Sequence, residues 1–98
     1  MIHAIALAHE TETIENLTPR VKAIMERENI AEKQAWEYLK AVTIQHKEEA
    51  LADDMEYYVM INSVRLKAIN SKLEAIEIDE QAEQHRATTL YEQGLRHY

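Results

Sequence analysis

The chain has no cysteine and no phenylalanine, and only one glycine, one proline and one tryptophan in 98 residues. Without cysteine there is no disulfide, no thiolate metal ligand and no cysteine nucleophile, and the compartment leans to the cytoplasm. A single glycine excludes the glycine-rich loops that cradle phosphates and the tight elbow on which hydrolase serines sit. With one proline beside it, little remains from which to build the turns of an all-β fold. Basic charge is also short: 11 Lys and Arg stand against 18 Asp and Glu, for a formal net charge of -7. The bases are scattered singly rather than in a stripe, which argues against nucleic acid as a partner. Long apolar runs are missing as well. "MIHAIALAHE" carries a signal-like Ala6-Leu7-Ala8 triplet, but no cationic segment and too short an apolar stretch, so neither a signal peptide nor a membrane span is expected.

What is present favours helix. Leu, Ile and Val total 22, enough for a core, and Ala is common; Ala, Glu, Gln, Lys, Leu and Met are the residues that lose least on entering a helix. Three starts follow from capping chemistry. Thr18 before Pro19 offers a hydroxyl cap with proline at the first helical position; Asn29 with Glu32 and Ser71 with Glu74 read as capping boxes. Asn70 suits the end of a preceding helix, and Gly94 the end of the last. The expected helices are 19–28, 30–69 and 72–93, with residues 1–17 open between helix and short edge strand and 95–98 a tail. The fold class is all-α, one domain over 1–98: a short N-terminal helix, then a long helix and a third packed as an antiparallel hairpin. At ~1.5 Å per residue the long helix would span ~60 Å, too long for a globule of this size. It must therefore break near Asn62 and Ser63 or be completed by oligomerisation, and the second reading is preferred.

Traced at 100° per residue, one face of the long helix carries Ile44, Leu51, Met55, Tyr58, Leu66 and Ile69 as core or hairpin seam. The opposite face runs from Leu39 and Val42 through His46, Glu49, Asp53 and Glu56 to Met60, with Val64 beside it: apolar at both ends, polar in the middle. Carboxylates and imidazole replacing apolar residues for a few turns are what di-iron and di-manganese bundles use to hold a divalent metal. His46, Glu49, Asp53 and Glu56 are therefore the candidate ligands of a ferritin-like alternative. The recurrent Glu-x-x-His pair of such sites is absent, however, so the preferred reading of this line is a solvated gap between two contacts. Glu74, Glu77, Glu80 and Glu83 step by three, which spirals them over half the circumference and away from any single ion.

The bulky residues Trp36, Tyr38 and Leu39, with Tyr57, Tyr58 and Met60, are the candidate interface, because aromatic side chains and Met anchor contacts. The leading expectation is a small acidic homo-oligomer, without cofactor, that acts through protein–protein interaction, with itself and with a further protein as partners. Catalytic parts are lacking. A third reading is an acidic decoy of a basic protein, built on Glu48, Glu49, Asp53, Asp54 and Glu56, though Lys47, Arg65 and Lys67 dilute that field.

Overall fold

Among the described residues the fold is built on three helices, α1 (Ile14–Glu28), α2 (Glu32–Ala52) and α3 (Glu56–Arg96). The computed structural model describes the backbone of residues 11–96 and the side chains of residues 11–86. The possible edge strand near the start and the end of the expected tail lie outside the described residues; among the described residues no strand occurs.

α1 begins five residues earlier than the expected 19. Its cap is Thr13, whose Oγ1 accepts from the Asn16 amide at 3.1 Å, and the helix extends upstream because Ile14 and Leu17 continue the stripe formed by Val21 and Ile24. Thr18 is thus no cap: its hydroxyl donates to the Ile14 carbonyl at 2.7 Å. Pro19 lies inside the helix, and the carbonyl it leaves without a donor belongs to Glu15, an exposed position that water can serve. Asn29 likewise ends α1 rather than starting α2. It takes the left-handed conformation (φ 53°, ψ 52°), which Asn tolerates better than most residues, and the amides of Asn29 and Ile30 both donate to the Met25 carbonyl. Ile30 and Met25 then pack on the core, completing a Schellman-type stop. α2 starts from Ala31, which has no side-chain oxygen; only the reciprocal half of a box exists, Gln34 Oε1 accepting from the Ala31 amide at 3.4 Å.

The expected 30–69 helix is broken at residues 53–55, not at Asn62 and Ser63. The Asp54 amide donates to the Leu51 carbonyl at 3.3 Å and the Met55 amide to the Ala50 carbonyl at 2.8 Å, with Asp54 left-handed at φ 55°. This is again a Schellman pattern, made without glycine. The supposed breakers downstream satisfy themselves within α3: Asn62 Nδ2 donates to the Tyr58 carbonyl, Ser63 Oγ to Val59 and Ser71 Oγ to Lys67, at 2.8, 2.7 and 3.0 Å. The chain therefore does not stop at Asn70 or restart at Ser71, and Gly94 lies within α3.

At 41 residues α3 is nearly twice as long as the 21-residue α2, by rise ~60 Å against ~30 Å. α3 packs back along α2, and the start of α2 reaches only as far as Lys72 and Glu80 on α3, through Glu32–Lys72 at 3.7 Å and Lys33–Glu80 at 3.1 Å. The hydrogen bond and charge of Glu80 raise the Lys33 ammonium above its usual 10.5. Every side chain from Glu77 to Arg86 is exposed, which agrees with the surface reading of Glu77, Glu80 and Glu83. The core lies where all three helices meet: Leu17, Val21 and Ile24 of α1, Ala35, Trp36 and Leu39 of α2, and Ile69 of α3. Thr43 is buried beside it with its hydroxyl donated to the Leu39 carbonyl at 2.7 Å. The Trp36 indole N–H meets no acceptor among the described residues, at a cost of about 1–3 kcal/mol. The stripe expected as core does not stay buried, because α2 turns its Trp36, Leu39, Thr43 and Ala50 face inward instead and the break ends the continuous helix on which the stripe was traced. Ile69 is in the core, whereas Ile44, Leu51, Met55 and Tyr58 are exposed.

Candidate functional site

The Asp53–Met55 turn creates two adjoining features at the α2–α3 end of the molecule. The first is apolar. Leu51, Met55, Tyr57 and Tyr58 fall within eight residues of one another and are 43–56% exposed. The two tyrosine rings pack edge to face, with centroids 5.6 Å apart and an interplanar angle of 81°, a favoured geometry for neighbouring rings that stiffens the pair. Half-buried Val59 and Met60 continue the surface in a shallow groove with Leu51 and Met55.

The second feature is a cavity of about 440 Å³ between α2 and α3. Its polar rim is formed by Glu12, His46, Glu49, Asp53, Asn62 and Arg65, and its apolar wall by Met55, Tyr58 and Ile61. His46 reaches it because Trp36, Leu39, Thr43, His46 and Ala50 follow one another at helical spacing on the α2 face turned toward α3, and Glu49 and Asp53 lie next to that face. Arg65 and Glu12 form a two-point pair, Nε to Oε2 at 2.7 Å and Nη2 to Oε1 at 3.1 Å, with both side chains largely shielded from water. This fork-to-fork geometry makes strong charge-assisted hydrogen bonds and fastens the segment before α1 onto α3.

Of the expected metal ligands, His46, Glu49 and Asp53 come to the cavity and Glu56 lies off it, across the turn on the groove with Leu51 and Met60. Among the described residues no three His, Asp or Glu side chains come close enough to hold one metal ion. All four side chains are exposed. Of the expected interface residues, Trp36 and Leu39 are in the chain's own core. Tyr38, Tyr57 and Tyr58 are exposed and Met60 is half-buried; the Tyr38 ring lies 5.9 Å from the Arg27 guanidinium carbon, within range of a cation–π contact. Sequence reasoning missed Leu51 and Met55 as surface residues, having assigned them to a buried seam, and missed Glu12, Asn62 and Arg65 as cavity residues. The signal was the Asp53-Asp54 pair, two poor helix formers in succession. Among the described residues no helix is long and apolar enough to cross a membrane. Set against models of protein families, curated protein sequences and solved structures, the chain matches none of them.

Proposed function

We propose that the protein acts by association: it forms a homo-oligomer, most simply a dimer, through the α2–α3 end and presents its acidic, tyrosine-bearing surface to a further protein. One observation carries this reading, the joint exposure of Leu51, Met55, Tyr57 and Tyr58. Isolated exposed apolar residues are ordinary, whereas a contiguous patch of large ones rimmed by charge, here Asp53, Asp54 and Glu56, marks an interaction surface. A stable interface buries about 800 Å² per partner, more than four half-exposed side chains supply, so the contact continues along α3. Tyr57, Val64, Ser71 and Ile78 recur every seven residues there, and Ile78 is 58% exposed; such a row stays on one face of a helix that pairs with another.

Net charge separates self-association from capture of a basic partner. Two copies at -7 each repel, so added salt strengthens their association, while binding to a basic protein weakens as salt rises. The test is the light-scattering mass of the wild-type chain beside that of a Leu51→Glu/Tyr57→Glu variant. Both positions are exposed, so the variant is expected to fold. The reading expects a multiple of 11.5 kDa for the wild type and a single chain for the variant. Equal masses for the two would remove this end of the molecule from the interface.

A further inference from the structure

In a chain without cysteine, the sulfur chemistry that remains is oxidation of a methionine thioether to its sulfoxide, a reversible change. The fold treats its methionines differently. Met25 is half-buried and packs against the core. Met60 is half-buried in the groove beside the turn. Met55, at 43%, is the exposed one among the described residues. Access to water and to a dissolved oxidant therefore singles out Met55.

Met55 also stands where the two features of the α2–α3 end adjoin. It lines the cavity with Tyr58 and Ile61, and the groove with Leu51 and Met60, the one large side chain common to both. Its backbone is held independently of its sulfur. The Met55 amide closes the turn on the Ala50 carbonyl at 2.8 Å, and its own carbonyl accepts from the Val59 amide at 3.0 Å. Oxidation thus alters the surface and spares the turn. A thioether is apolar and flexible enough to fit an irregular contact, whereas a sulfoxide brings a polar oxygen that must find a donor or stay in water. The charged rim of the patch, Asp53, Asp54 and Glu56, offers that oxygen acceptors and no donors.

We propose that Met55 is a modification site for a peroxide, and that its sulfoxide weakens association at the α2–α3 end. The second half rests on the association reading above. With hydrogen peroxide, the sulfur lone pair attacks one peroxide oxygen, the O–O bond breaks, an S–O bond forms and the other oxygen leaves as water. Sulfur loses two electrons and the peroxide gains them. Reversal requires thiol-driven sulfoxide reductases, one for each sulfoxide epimer. Association covers Met55, so the free chain is the form that reacts.

The test treats the full-length chain with hydrogen peroxide at several protein concentrations and follows the peptides carrying Met25, Met55 and Met60 by mass spectrometry. Light-scattering mass and urea unfolding are measured before and after. Met55 should oxidise faster than Met25 and Met60, and more slowly as protein concentration rises. Its oxidation should weaken association by about tenfold or more, leave unfolding of the dilute chain unchanged, and be undone by the two reductases. Met55→Leu, whatever its own affinity, should associate equally before and after peroxide, while Met60→Leu should stay sensitive. An untreated chain that is monomeric at every concentration would remove the association reading and the proposal together. With association intact, the proposal alone is overturned by any of four results: full oxidation of Met55 without effect on mass, no preference for Met55 over Met25, loss of fold on its oxidation, or a peroxide response retained by Met55→Leu.

Discussion

Ile69 and Ile78 sit nine positions apart on the same helix, yet one is 0% and the other 58% exposed. Substituting each by alanine therefore isolates the contribution of the three-helix core. Truncation at Ile69 removes three carbons, worth about 2.4 kcal/mol at about 0.8 kcal/mol each. Part of the cavity left behind stays open, because its walls come from α1 and α2, Leu17, Trp36 and Leu39 among them, and cannot all close in together. Adding that term gives a loss of about 3 kcal/mol, within the roughly 2–5 kcal/mol typical of such truncations. For a domain of this size the melting temperature should fall by roughly 12–25 °C, and the loss is a large part of a total stability of about 5–15 kcal/mol. Ile78→Ala should stay within about 0.5 kcal/mol of the wild type. The assay is urea unfolding followed by helical circular dichroism and by fluorescence of Trp36, the single tryptophan, at the lowest workable concentration, because association adds concentration-dependent stability. A loss below about 1 kcal/mol at Ile69, or equal losses at the two sites, would refute the packing described.

Substitutions at three further positions test the helix boundaries. Thr13→Ala should destabilise the chain by about 1 kcal/mol through loss of the α1 cap, with a smaller effect from Thr18→Ala, and chemical denaturation ranks the pair; the reverse order would return the helix start to Thr18. At Asp54, left-handed at φ 55°, Gly should be neutral or stabilising and Val destabilising by about 1 kcal/mol or more, since a β-branched side chain clashes there. Equal thermal unfolding of the two variants would contradict a left-handed residue at the turn.

The all-helical class was legible because composition decides it: one glycine, one proline and an abundance of Ala and Glu leave little else. The boundaries were less so, for a shared physical reason. Asn29 and Asp54 stop helices by entering the left-handed region, and nothing in their side-chain chemistry separates that role from capping a start or facing water. Missing the second stop let one stripe be traced from Ile44 through Leu51 and Met55 to Ile69 as a single buried seam, whereas α2 buries its Trp36, Leu39 and Thr43 face; Thr43, polar but content with the Leu39 carbonyl, went unnoticed in the interior. Asn62 and Ser63 misled in the opposite direction, since donation to the preceding turn lets both sit inside a helix. Of the cavity, His46, Glu49 and Asp53 were legible from their spacing. Glu12 and Arg65, 53 positions apart, meet only through the tertiary fold, which periodicity does not reach.

The account depends most on the claim that the α2–α3 end is an association surface and not simply a solvated turn. Sedimentation equilibrium of the wild-type chain over a range of concentrations, at low and high salt, tests this most directly. The account predicts a mass that rises from 11.5 kDa toward a whole multiple of it, at lower concentration when salt is added. A mass of 11.5 kDa at every concentration and both salt levels would contradict it.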